Sequence, residues 1–201
     1  MVKNRKSYEP LFVSNVNCQN NARINQNKTY GLDLFAEGYK TAADVLVNHV
    51  AEDNKNQDTL VYPIVFLYRQ YIELRLKEII REGWLLLNEE HDFPKTHKLD
   101  KLWLAVNEII EKVYAHEESD DSDDLGLVEH LIHEFSAIDP ESMSFRYPED
   151  LKGNNLLVGL EDLDIRHLSK MIERVFFFLD GVSAGISAYR DYENESNDAF
   201  Y

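Results

Sequence analysis

Apolar residues recur along this chain at spacings of three and four, and no segment shows the alternation of a half-buried strand. The densest stretch, VYPIVFLYRQYIELRLKEIIREGWLLL from Val61 to Leu87, is apolar over most of a helical circumference. A helix of that kind belongs at the centre of a domain. It nevertheless carries Arg69 and Glu73 in its richest part, and a buried arginine is tolerated only when it is paired. Asp58 and Thr59, ahead of Leu60, Val61 and Pro63, supply a cap with proline in the first turn.

A leading amphipathic helix is predicted from Tyr30, where GLDLFAEGYKTAADVLVNHV sets Leu34, Phe35, Tyr39, Ala42, Ala43, Leu46 and Val50 on one face. It ends near residues 52–56, and Gly38 weakens it unless another helix approaches closely there. Pro94 interrupts the connection from Asn88 to His97. A third helix follows from Leu99 to about His116, burying Leu99, Leu102, Trp103, Val106, Ile109, Ile110 and Val113. A fourth runs from Leu125 to Ile138. The last spans Leu163 to Tyr192, with Leu168, Met171, Ile172, Val175, Phe176, Phe178, Leu179, Val182 and Ile186 as its apolar set.

Between these two, Asp139 to Asp162 has no helical period; irregular stretches of that length inside a domain are uncommon and frequently functional. The fold expected is all-α: a helical bundle of four main helices plus a leading helix, with a long irregular loop before the last. Residues 1–28 read as a polar, basic arm, 29–192 as the bundle, and 193–201 as an acidic flexible tail.

Composition refines this picture. The 201 residues fit one helical domain with tails, and 44% hydrophobic content suffices for a core. No apolar run approaches the ~20 residues of a membrane span, and the N-terminus lacks the pattern of a secretory signal. Cys18 is the one cysteine, which excludes an internal disulfide framework and a multi-cysteine zinc site and favours a reducing, cytoplasmic location. Net charge is −16. The arm holds Lys3, Arg5, Lys6, Arg23 and Lys28 against Glu9 alone, so the remainder is more acidic than the total. Such a body repels phosphate backbones at long range and suits docking on basic partners, including competition with nucleic acid for a site.

Three constellations carry candidate chemistry. Arg69, Glu73 and Lys77 stand at i, i+4 and i+8 on the second helix, either as an ion-pair row or as a cationic grip for phosphate or a partner carboxylate. Asp139, Ser142, Phe145, Arg146 and Tyr147 form a cluster in the irregular segment. There Phe145 and Tyr147 are expected to anchor the segment, and Arg146 to pair with an acid such as Glu73 or Asp139. His130 and His133 could share a metal, but no third ligand is identifiable, so no metal is assigned. His97, at the start of HKLDKLW, has no nucleophile to serve. In the acidic run from Glu117 to Asp124, Asp120, Ser122 and Asp124 alternate as in a calcium loop. The glycine position is Leu125 and the twelfth is Leu131, so the run reads instead as a loop whose last acids cap the fourth helix. No glycine-rich phosphate loop is present and no cofactor is implied.

FAEGYKTAADVLV, YPIVFLYRQYIELRLKEII, HKLDKLW, EFSAIDPESMSFRYP and the closing helix with DGVSAGI, taken in order over residues 30–190, resemble prokaryotic proteins of the HEPN superfamily. The resemblance implies an up-and-down helical bundle, frequent dimerisation, and a place in toxin–antitoxin and anti-phage systems. Many members are metal-independent endoribonucleases, using an arginine followed four to six residues later by a histidine. Here the chain departs from the pattern: none of its nine arginines has a histidine so placed, and Arg166 is directly followed by His167. Gln70 follows Arg69 where similar members have histidine, and glutamine cannot exchange a proton near neutral pH.

The expectation is therefore a non-catalytic binding module, homodimeric or bound to a protein partner, an RNA or a nucleotide. One alternative is an endoribonuclease with a rearranged site made of Arg69, His97 and Arg146. The other is an acidic decoy occupying a nucleic-acid channel.

Overall fold

The computed structural model describes residues 9–24, 31–115 and 122–198. Lys3, Arg5, Lys6 and Lys28 of the basic arm, the acidic run up to Asp121, and the last three residues lie outside the described residues. Two compact units divide at Tyr30. In the first, residues 9–24 hold one 3₁₀ turn, Cys18–Asn20. The Asn15 amide donates to Asn21 Oδ1 (2.8 Å) and Asn21 Nδ2 donates to the Asn15 carbonyl (2.7 Å), closing a small asparagine-bonded loop.

The second unit is all-helical among its described residues: α1 (Leu32–Asp53), α2 (Gln57–Leu86), α3 (Leu99–Val113), α4 (Ser122–Ile138) and α5 (Ile165–Asp198). The only strand-like feature described is an isolated antiparallel bridge between Glu149 and Asn155. The greasy segment is indeed central. Helix α2 packs against α1, α3 and α5, while α4 bridges α3 and α5. Its buried residues, among them Ile64, Tyr68, Ile72, Leu76 and Ile80, face more than one neighbour, which is why no single apolar stripe describes it.

The leading helix buries only part of the face expected: Ala43 and Val50 are buried and Tyr39 and Leu46 pack against the core, but Ala42 is exposed. Ala36, Lys40, Ala43, Val47 and Val50 point inward at helical spacing, whereas Leu34 and Phe35 are more than half exposed. The two alanines leave α1 a narrow buried stripe, and the larger side chains fall outside it. No atom lies close to where a Cβ would stand at Gly38, so no helix approaches there.

Helix α2 begins at Gln57, with left-handed Asn56 as its N-cap. Thr59 Oγ1 donates back to the Asn56 carbonyl at 3.0 Å. Pro63 consequently lies in the second turn, not the first, where it costs the helix one hydrogen bond, to the Thr59 carbonyl. Helix α4 starts three residues earlier than expected, with Asp123 and Asp124 in its first turn, where carboxylates favour the positive end of the helix dipole. Helix α5 starts two residues later than expected because Asp164 caps it: its Oδ1 accepts from the amides of Arg166 (2.9 Å) and His167 (3.0 Å). At the other end α5 continues past Tyr192 to Asp198, through residues that read as tail. No helix described is long and apolar enough to cross a membrane.

Candidate functional site

The helical register of α2 places Arg69, Glu73 and Lys77 on one line, and the packing buries that line: Arg69 is 0% exposed and Glu73 1%. Each group of the Arg69 guanidinium has an acceptor. Nη1 donates to Glu73 Oε2 (3.2 Å), Nη2 to the His97 carbonyl (2.8 Å) and Nε to the Asp139 carbonyl (3.2 Å). The carboxylate of Asp139, also buried, lies 3.2 Å from Nε, held by charge because the N–H itself is directed at the carbonyl.

Glu73 is shared in turn. Its Oε1 accepts from Lys77 Nζ at 2.7 Å and lies 2.9 Å from His97 Nδ1, which must carry the proton to face a carboxylate. Burial pushes the Glu73 carboxyl up, but the hydrogen bonds and positive charges of Lys77 and His97 outweigh it and hold the group below the usual carboxylate range. Lys77 also lies over the Phe93 ring, in the α2–α3 connection, at 5.5 Å.

Arg69, Glu73, Lys77, His97 and Asp139 thus form one network joining α2, the α2–α3 connection and the start of the irregular segment. It is a staple rather than a cleft. The row is neither an exposed ladder nor a grip on an incoming anion, because the guanidinium is enclosed and already paired. The imidazole of His97 is the accessible member, with a side chain 69% exposed.

The other four candidates lie further along the irregular segment. Asp139 Oδ1 accepts from the amides of Met143 (2.7 Å) and Ser144 (2.9 Å), which turns the chain, and Ser142 takes up left-handed backbone within that turn. Phe145 is buried and serves as the expected anchor; Tyr147 is half-exposed and does not. Arg146 departs from expectation. No acid pairs with it among the described residues: Nε donates to the Ser142 carbonyl (2.6 Å), and the guanidinium faces the rings of Phe66 (5.5 Å) and Tyr147 (5.7 Å). Both acids proposed for it are buried around Arg69, and Arg146, exposed at the surface, cannot reach them without losing its hydration.

His133 Nδ1 lies 2.8 Å from Asp100 Oδ1, and His130 lies 4.0 Å from Glu134. Among the described residues no group of three or more His, Cys, Asp or Glu is placed to hold a metal ion.

Two further charge clusters, each centred on a buried cation, were not anticipated. Arg75 Nη1 reaches Asp33 (2.6 Å) and Glu78 (3.3 Å), and its Nη2 lies 3.5 Å from Asp180, so one arginine ties α2 to α1 and α5. Burial raises the Glu78 carboxyl above its ordinary value even though Ser183 and Arg75 oppose the shift. Lys40 bridges Asp44 (2.8 Å) and Glu173 (3.0 Å), and the Tyr68 hydroxyl donates to Asp44 at 2.7 Å. The Arg75–Glu78 spacing of three was the one local signal for the first cluster; the other acids come from distant helices.

Three concavities open beside the irregular segment, and Phe145 lines two of them. One of these two, about 620 Å³, runs between the α1–α2 corner and residues 157–166. The other, about 430 Å³, lies between α4 and the first half of α5. Comparison of the chain with protein-family models, with curated proteins and with solved structures gives no match.

Proposed function

We propose that this chain is a non-catalytic, HEPN-like binding module of a prokaryotic defence, toxin–antitoxin or counter-defence system, and that it works by engaging a protein partner. The observation that supports this reading is the saturation of Arg69. Arg69, the cation that a rearranged nuclease site would offer to a phosphate, is enclosed, bonded at Nε, Nη1 and Nη2, and unable to meet one. Gln70 beside it cannot move a proton. The strong negative charge of the whole chain adds to this by opposing broad contact with RNA. The defence setting rests on the sequence resemblance alone.

One observation favours a second reading, the endoribonuclease with a rearranged site. The exposed His97 imidazole is oriented by the buried Glu73 carboxylate, which is how a general base is commonly held. Incubation of the purified protein with single-stranded and hairpin RNA in chelator separates the two. The binding-module reading expects no turnover above a buffer control. Cleavage that disappears in His97→Ala, with the circular dichroism spectrum unchanged, would establish the enzyme instead.

A further inference from the structure

The concavity between the α1–α2 corner and residues 157–166 has a mixed apolar and acidic lining. Val61, Tyr62, Phe145, Leu160 and Leu163 give it an apolar strip, with Tyr62 about half exposed, beside the polar Asn54 and Gln57. Its banks are acidic: Asp58 opens α2 on one side, and Glu161 and Asp162 end the irregular segment on the other. All three carboxylates are exposed, and no cation pairs with any of them among the described residues. Asp164, on the same bank, is committed to capping α5. The single cation of the lining, Arg166, donates to the Ala51 carbonyl at 3.1 Å. Leu163 and Phe145 continue the apolar strip into the concavity between α4 and α5, whose rim adds His130, Glu134 and His167.

A trough that sets apolar side chains between unpaired carboxylates repels anionic ligands, nucleic acid included, and is complementary to apolar side chains flanked by Lys and Arg. We infer that this groove is a docking site for a basic amphipathic segment of a protein partner, its apolar face on Tyr62 and Phe145 and its cations against Asp58, Glu161 and Asp162. The inference rests on the binding-module reading above and names the partner's chemistry.

The test measures fluorescence anisotropy of labelled peptides added to the full chain. The probe is a helical peptide of about 14 residues carrying leucines at i, i+3, i+4 and i+7 with Lys and Arg elsewhere. Controls are the same peptide with Glu for every Lys and Arg, a Lys-rich peptide without leucines, and a single-stranded RNA. The first peptide is expected to bind and to weaken as salt rises, with the controls weaker by tenfold or more. Asp58→Asn, Glu161→Gln and Asp162→Asn together should weaken it by about tenfold, which is about 1.4 kcal/mol shared over three exposed pairs.

Equal binding of the charge-reversed peptide, preference for the RNA, or no response to the triple substitution would overturn the groove assignment, as would absence of binding at millimolar peptide. These failures leave the non-catalytic reading standing. That reading falls independently, if the same preparation cleaves RNA through His97.

Discussion

Arg69 and Asp139, seventy positions apart in the chain, meet with the Arg69 Nε 3.2 Å from both the carbonyl oxygen and the carboxylate of Asp139. The contact ties the middle of the central helix to the first residue of the irregular segment. The turn that follows is built on the other oxygen of the same carboxylate, so one buried ion pair fixes where the bundle ends and the segment begins.

Removing Arg69 leaves Asp139 buried without its counter-charge and takes from Glu73 one of the cations around it. Arg69→Met should lower the unfolding free energy by about 3–5 kcal/mol. Arg69→Lys should recover only part of the loss, because one ammonium cannot reach three acceptors in a planar array. Arg146→Ala is the control: its guanidinium is exposed and its ring contacts are worth about 0.5–1 kcal/mol. Urea titrations of the three variants, read at equal slope, check the order.

Asp139→Asn should act more locally. The amide oxygen still accepts from Met143 and Ser144, but the charge facing Arg69 is lost. A global cost of about 1–3 kcal/mol is expected, with hydrogen exchange over 139–147 accelerating more than in α2 or α3. Uniform acceleration across the bundle would show that the segment and the core unfold together.

The pH dependence carries two opposed contributions. Glu73, faced by Arg69, Lys77 and His97, titrates below its ordinary value of 4.5 in the folded chain, so the unfolded chain binds its proton first on acidification. Its contribution is present above about pH 4.5 and is lost as pH falls through the folded value. Glu78, faced by Arg75, Asp33 and Ser183, is raised instead: its contribution is present at low pH and is lost as pH rises through the folded value. Melting temperatures between about pH 3 and about pH 7 should therefore fall less steeply towards acid in Glu73→Gln than in the parent. In Glu78→Gln the decline on going from about pH 5 to neutrality should diminish. Parallel profiles for parent and both variants would contradict the assignment.

What the sequence disclosed was periodicity. The three- and four-residue spacings located all five helices, and the all-round apolar character of α2 marked it as central. Arg69 and Glu73 stood out because charges in such a helix need partners. The pairing of Asp139 with Arg69 rather than with Arg146 depends on tertiary placement that spacing does not encode. The buried face of α1 was misread in part for a related reason: size suggested Leu34 and Phe35, while close packing selected Ala36, Lys40 and Val47 beside the expected Ala43 and Val50. Arg75 escaped notice because Asp33 and Asp180, two of its acids, lie 42 and 105 residues away. The last residues of α5 read as tail since their polar composition has no apolar stripe, yet the helix continues through them.

Gly83 tests how tightly α2 and α3 interlock. A Cβ at this position would overlap the Cγ2 of Ile109, a buried residue of α3, so only glycine allows the two helices their observed approach. Alanine is the better helix former by about 1 kcal/mol, and on an exposed face Gly83→Ala would stabilise the chain. Here overpacking should win, with a net loss of about 1–2 kcal/mol. Shortening the obstructing side chain supplies the decisive comparison. Ile109→Ala alone should cost about 2–4 kcal/mol by opening a cavity. The double substitution should be less damaging than the sum of the two, because the new methyl occupies space the isoleucine vacated. Additive losses in thermal or urea unfolding would mean that the helices separate around Gly83 instead of gripping it.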